Sequence, residues 1–211
     1  MQRWIIRSDA DLDRELAAIG AVLEGGGIIA VPTGSFYALA AAVRCGAALD
    51  RVQRLKGRGA EKPLLVLVPD TPTARVLAPS ASPLLEELAS RFWPGRLTLV
   101  LPARNDLPEP LVGTRRAVAV RVPSIAVTRR IAARLGGVTG TSANRTGEPP
   151  SRYLQELDLE AGALAGMVDV GPTPGGKPST VLDITCEPAR IVRQGSLDES
   201  ELRQFLGPRL V

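Results

Sequence analysis

Histidine is absent from this 211-residue chain. Without an imidazole, acyl transfer by a Ser–His or Cys–His pair and histidine proton shuttling have no agent. Aromatic residues make up only 3% of the sequence, so the core has to be built from Leu, Val, Ile and Ala. The same scarcity argues against a stacking platform for single-stranded nucleic acid, which needs exposed rings. Cys45 and Cys186 stand far apart and no Cys-x-x-Cys pair exists, which argues against a zinc ribbon or a redox dithiol. They read as two buried free thiols in a reducing cytosol. No run approaches the roughly 20 apolar residues of a membrane span. Met1–Arg7 holds no apolar stretch long enough for a signal peptide. The reading is a cytoplasmic protein with no membrane partner.

What is present is apolar bulk and scattered cations. Hydrophobic residues make up 45% of the chain, enough for a packed globule, and the length fits one domain over residues 1–211. The formal net charge is +4. That excess favours anionic ligands weakly, and a solvated basic surface explains it as well.

Periodicity gives a mixed order of elements. Trp4–Arg7 reads as a strand, and Ser8 or Asp9 can cap the helix that follows. Leu12, Leu16, Ile19 and Leu23 share one face of that helix, and Gly25–Gly27 stops it. Ile28–Val31 reads as a buried strand broken by Pro32–Ser35. A helix over Ala47–Leu55 ends in the basic Lys56-Gly57-Arg58. Further strands are expected at Leu64–Val68, Leu97–Leu101, Ala117–Val122, Thr180–Ile184 and Arg190–Val192. Ser82-Pro83 reads as the cap and first turn of a helix, and Ser124–Leu135 as another, ended by Gly136-Gly137. Gly137–Thr141 is extended, and Asn144–Ser151 is a polar loop. Strands and helices without strict βαβ alternation predict an α/β fold with a mixed sheet and helices against it.

The glycine clusters carry no nucleotide signature. Gly25-Gly26-Gly27 lacks the Gly-Lys-Ser/Thr ending of a P-loop and precedes a strand. Gly175-Gly176-Lys177 reads as a turn. The stronger case is distributed: Ser35, Arg58, Lys62, Ser142, Asn144, Ser179 and Arg193 fall near strand ends, where polar residues can converge on one edge of a sheet. Arginine, lysine and small hydroxyls suit the holding of a polyanion such as a triphosphate.

Several blocks resemble the YrdC-like family, the threonylcarbamoyl-adenylate synthases of tRNA modification. They are Gly27–Thr33 with Ser35 and Tyr37, Lys56-Gly57-Arg58 with Lys62-Pro63-Leu64, and Phe92-Trp93-Pro94-Gly95 followed by Leu97-Thr98. Val120–Pro123, Thr141-Ser142-Ala143-Asn144 with Gly147, Ser179–Asp183 and Ile191–Gly195 complete the set. They run in order over about residues 10 to 200. The resemblance implies a twisted α/β sheet with a basic concave cleft. It implies synthesis of threonylcarbamoyl-AMP and pyrophosphate from L-threonine, bicarbonate and ATP. A partner transferase then passes the threonylcarbamoyl group to adenosine 37 of tRNA. On this reading Lys56, Arg58 and Arg193 clamp the triphosphate, with Lys56 and Arg58 as the catalytic candidates. Lys62, Ala117, Asn144 and Arg152 match further nucleotide positions. Ser35, Leu67, Arg121, Ser142 and Ser179 match positions around threonine, with Arg121 opposite its carboxylate. Mg²⁺ is expected to be held mainly by phosphates and water rather than by protein carboxylates.

The first motif departs from the family pattern. Pro32-Thr33-Gly34-Ser35-Phe36-Tyr37-Ala38 lacks the family's acid at position 34, and it has Ser for Thr at 35 and Ala for Gly at 38. That variation resembles YciO-type paralogues, while the Lys-x-Arg and Ser-x-Asn elements they tend to lose are kept. The extra carboxy-terminal domain of longer relatives is not expected after Arg193. Two alternatives stand beside the synthase: a module that binds tRNA or double-stranded RNA without catalysis, and a YciO-like paralogue with another nucleotide-linked substrate.

Overall fold

The computed structural model describes residues 1–57, 63–144, 148–157 and 162–211. It opens with strand β1 (Gln2–Ile5) and helix α1 (Asp9–Glu24). Ser8 caps α1 reciprocally. Its hydroxyl accepts from the Asp11 N–H at 3.2 Å, and the Asp11 carboxylate accepts from the Ser8 N–H at 3.0 Å. Two amides that the first turn orphans are thereby satisfied. Gly25 ends the helix with its N–H on the Ala21 carbonyl, and Gly26 follows at φ 82°.

There follow β2 (Ile29–Pro32), β3 (Tyr37–Ala40), α2 (Gly46–Lys56), β4 (Val66–Leu67), α3 (Thr71–Leu77) and α4 (Leu84–Phe92). Next come β5 (Leu97–Pro102), α5 (Glu109–Val112), β6 (Ala117–Arg121), α6 (Ala126–Leu135), β7 (Val138–Thr139) and β8 (Thr141–Ser142). The chain closes with β9 (Gly166–Asp169), β10 (Thr180–Asp183), β11 (Arg190–Arg193) and α7 (Glu199–Leu206).

These strands form two mixed sheets, in orders β1-β9-β2-β3-β8 and β11-β10-β5-β6-β4-β7. The mixed α/β architecture is the one expected. Strands β2 and β3 are buried on both faces, so their sequence reads as a continuous apolar run. Ile29, Val31, Ala38 and Ala40 pack with Leu12, Ile19 and Leu23 of α1 and Ile131 of α6. Ile28, Ala30, Tyr37 and Leu39 join a second core with Leu49 and Val52 of α2, Leu85 and Leu88 of α4, and the inward residues of β5 and β6.

One short segment links the sheets. β7 pairs with β4 in the six-stranded sheet, and β8 pairs with β3 in the five-stranded one. Gly140 lies between them and donates to the Leu65 carbonyl at 2.8 Å. A Cβ at Gly140 would come within 2.4 Å of the Leu67 side chain, so the crossing needs a glycine.

Several expectations are corrected. Cys186 is exposed and Cys45 half-buried, not both buried, because Cys186 sits in the turn between β10 and β11. Pro83 rather than Ser82 occupies the N-cap of α4, and no side chain caps that end. Helix α6 starts at Ala126, because the Ser124 and Pro123 carbonyls turn to the Arg129 guanidinium instead. The third strand, β3, has no counterpart in the periodicity reading. Its alanines and two-sided burial leave no alternation to detect. No helix among the described residues is long and apolar enough to cross a membrane.

Candidate active site

A pocket of about 690 Å³ lies against one face of the six-stranded sheet. Its floor follows from strand alternation. Thr98 and Val100 of β5, Ala117, Ala119 and Arg121 of β6, and Val181 of β10 line it. Leu97, Leu99, Val118 and Val120, on the opposite face, enter the core. The walls are the β2–β3 turn, the Gly140–Asn144 segment, and Pro178-Ser179 with Val192-Arg193. The site is therefore a sheet face with small floor residues, where strand-end logic had pointed to an edge.

Each wall is braced by polar side chains directed at the backbone. The Thr33 hydroxyl donates to the Phe36 carbonyl at 2.6 Å and accepts from the Phe36 N–H at 3.3 Å, closing the turn that presents Ser35. The Ser35 carbonyl accepts from the Gly175 N–H at 2.7 Å, so the Gly175-Gly176 turn buttresses this wall. Tyr37 is fully buried, and burial raises its phenol pKa. Its hydroxyl donates to the Gly171 carbonyl at 2.6 Å, and its own carbonyl accepts from Ala143 N–H at 2.9 Å. Ala38 lies within β3 and is not among the residues of positive φ, so the change from the family's glycine strains nothing.

Lys56 is only 2% exposed and does not line the pocket. Its Nζ donates to the Ser142 carbonyl at 2.8 Å, to the Asn144 Oδ1 at 3.3 Å, and to the Asn144 carbonyl. The ammonium thus grips the Ser142–Asn144 loop from behind. The Asn144 amide in turn donates to the Glu148 carbonyl at 2.5 Å.

On the opposite wall, the Ser179 and Thr98 hydroxyls bond each other at 2.8 Å. Arg193 Nη2 donates to the Ser179 carbonyl at 2.8 Å. The Thr180 hydroxyl collects the Gly195 N–H at 2.9 Å and the Leu197 N–H at 3.2 Å, pinning the segment after Arg193. A Cβ at Gly195 would stand 2.3 Å from the Pro178 carbonyl oxygen, so this close approach admits only glycine.

Arg121 dominates the electrostatics. It is 6% exposed, and its Nε donates to the Gly95 carbonyl at 2.7 Å. No carboxylate among the described residues pairs with it. Burial, and then repulsion from Arg193, lowers its pKa to about 10. A buried cation facing a second cation is costly unless an anion completes the site.

The structure brings Ser35, Leu67, Ala117, Arg121, Ser142, Asn144, Ser179 and Arg193 to one pocket. Lys56 stands behind its wall. Arg152 does not line it: Arg152 Nε donates to the Thr173 carbonyl at 3.0 Å, and the guanidinium lies over the Tyr153 ring. Arg58 and Lys62 lie outside the described residues. Residue reading assigned no role to Thr98, Arg115, Thr141 or Glu148, which also line the pocket. Arg115 is held by the buried Asp183 at 3.5 Å. The signal for Thr98 was its alternation with Leu97 and Leu99; Arg115 and Glu148 lie outside strands, where no periodicity applies.

A buried arginine with no carboxylate partner among the described residues, a second arginine and paired hydroxyls thus share one pocket on a mixed α/β scaffold. The chain belongs to the Sua5/YciO/YrdC family, whose sequence profile, described as "Telomere recombination", matches residues 21–195. It is 31% identical to the threonylcarbamoyl-AMP synthase of Bacillus subtilis over 214 residues, covering 98% of this chain and 62% of that protein. The crystal structure of P. abyssi Sua5 complexed with L-threonine superposes with a TM-score of 0.88 at 30% identity, covering all of this chain and 62% of that one. E. coli YciO shares the fold, with a TM-score of 0.81 at 22% identity over 99% of both chains. The chain thus spans 62% of the length of each of the first two.

Proposed function

We propose that this pocket holds L-threonine beside ATP and makes threonylcarbamoyl-AMP. The observation that carries the reading is Arg121, a buried guanidinium with no carboxylate partner among the described residues and a pKa lowered to about 10. The carboxylate of an amino acid completes it. The similarity to Sua5 complexed with L-threonine and to the B. subtilis synthase supports threonine as that amino acid.

The threonine amine and bicarbonate give a carbamate and water. A carbamate oxygen then forms a bond to the α-phosphorus of ATP, and the bond from that phosphorus to the β,γ-diphosphate breaks, releasing pyrophosphate. Such transfer rests on positioning and charge neutralisation, so no protein nucleophile is required. Arg193, Arg58 and Lys62 take the triphosphate oxygens, and Arg152 would reach the nucleotide only by leaving the Thr173 carbonyl. Asn144 and the backbone at Ala117 frame the nucleoside. Ser35, Leu67, Ser142 and Ser179 surround threonine. Lys56 acts by fixing the loop that presents Ser142 and Asn144. Mg²⁺ would enter as part of the ATP substrate, carried by phosphate and water oxygens. The product passes to a tRNA threonylcarbamoyl-transferase.

The test is pyrophosphate release with ATP, omitting threonine or bicarbonate in turn. The reading requires both. Release that is indifferent to threonine refutes it.

Gly34 favours a second reading, a paralogue acting on another nucleotide-linked substrate. A Cβ at Gly34 would lie 2.2 Å from the Ser124 hydroxyl and 3.2 Å from Arg121 Nη2, so the family's acid has no room without a shift of Ser124. Pyrophosphate release stimulated by an amino acid other than threonine, and not by threonine, selects this reading.

A further inference from the structure

We infer that Thr141 is a further substrate-contacting residue, whose hydroxyl bonds the amino acid held at Arg121. The inference deepens the proposed function and rests on it. Thr141 is 3% exposed and lines the pocket. Its Oγ1 is the one buried side-chain polar atom among the described residues with no hydrogen-bond partner.

The other buried threonines show how unusual that is. Thr139 Oγ1 accepts from the Ala41 N–H and donates to the Leu39 carbonyl, each at 2.9 Å. Thr98 pairs with Ser179, Thr128 donates to the Pro32 carbonyl, and Thr180 makes three bonds. Leaving a buried hydroxyl unbonded costs the full desolvation of that group, so an isolated exception calls for a physical cause.

Its place in the fold says which ligand it meets. Thr141 follows Gly140, which abuts the Leu67 side chain, and Leu67 of β4 is the register partner of Arg121 of β6. Thr141 therefore stands on the Arg121 side. Ala117, four residues back along β6, is about 13 Å away from Arg121 at the ordinary strand rise. The main chain of Thr141 is fixed opposite Leu39 in the β3–β8 pair. A turn of about 120° about χ1, from one staggered well to the next, exchanges hydroxyl and methyl in nearly the same volume. On this inference such a turn is what brings the hydroxyl to the bound amino acid, with no backbone movement required.

The test is calorimetric titration of L-threonine and of ATP, separately, into wild type, Thr141→Val and Thr141→Ser, with thermal unfolding of each free protein. Valine keeps the shape and removes the hydroxyl. The expected result is an L-threonine affinity about tenfold weaker in Thr141→Val, ATP affinity within about twofold of wild type, and affinity kept in Thr141→Ser. The Tm of free Thr141→Val should be unchanged or a few degrees higher, because an unbonded hydroxyl is gone. Threonine affinity equal to wild type in Thr141→Val overturns the inference while leaving the proposed function standing. A lowered Tm with both affinities weakened also overturns it, since the residue is then structural. Wild type that binds no L-threonine refutes the proposed function and this inference together.

Discussion

Replacing Arg121 by methionine should separate binding from stability. Arg121 is 6% exposed, and burial with repulsion from Arg193 lowers its pKa to about 10. A drop of that size below the ordinary guanidinium value corresponds to about 3 kcal/mol against the charged form in the folded protein. The folded value lies below the unfolded one, so the unfolded chain binds the proton more tightly. The penalty is therefore in full force below pH 10 and is relieved only as the pH rises above it. Methionine removes the penalty and keeps an unbranched apolar stem. It also removes the bond from Nε to the Gly95 carbonyl, which costs about 1–3 kcal/mol. The free protein should thus stay within about 2 kcal/mol of wild type in urea unfolding, or gain stability. L-threonine affinity, measured by calorimetry, should fall at least about 30-fold, because a buried carboxylate loses its cation. An arginine locked in a structural ion pair would behave the other way, losing about 3–5 kcal/mol on truncation. Arg121→Met that loses more than about 3 kcal/mol and binds threonine normally refutes the argument.

Three further outcomes follow from the walls of the pocket. Lys56→Met strips the buried donor from the Ser142 and Asn144 carbonyls, and should lower stability by about 2–4 kcal/mol in urea unfolding, with ATP and threonine affinities falling together. Gly195→Ala drives a Cβ against the Pro178 carbonyl and the Ser179–Thr180 backbone, and should cost more than about 2 kcal/mol and loosen Arg193 as seen in weaker ATP binding. Gly34→Ala sets a Cβ against the Ser124 hydroxyl, an exposed side-chain end that can turn aside, and should cost less than about 1 kcal/mol in urea unfolding; a loss above about 2 kcal/mol, recovered by Ser124→Ala in a double-mutant cycle, would show that the hydroxyl cannot turn away.

Much of the fold is legible where local signals are strong. Ser8 with Asp11, and Gly57 at φ 55° after α2, mark helix ends through their own chemistry. The alternation of Leu97, Leu99 and Leu101 marks β5. What local pattern does not carry is which face of a strand meets a neighbour. Ala117, Ala119 and Arg121 form one stripe of β6, but only the approach of the β2–β3 turn and the β8 segment makes that stripe a pocket floor. The same limit hid the course of long side chains. Lys56 turns back into the loop after β8, and Arg152 turns to Thr173, because partners distant in sequence supply their acceptors. Helix α3 has a start that local chemistry marks: Asp70 caps it by accepting from the Thr73 N–H at 2.8 Å, with Pro72 in the first turn. Strand β9, Gly166–Asp169, opens on a glycine and closes on a buried aspartate, so no apolar run marks it.

The most direct test follows the bicarbonate carbon. The protein is incubated with ATP, L-threonine and ¹³C-bicarbonate, and the adenylates are resolved by mass spectrometry. The account predicts an adenylate carrying both threonine and the ¹³C label, appearing together with pyrophosphate. Pyrophosphate accompanied only by unlabelled adenylates would contradict it.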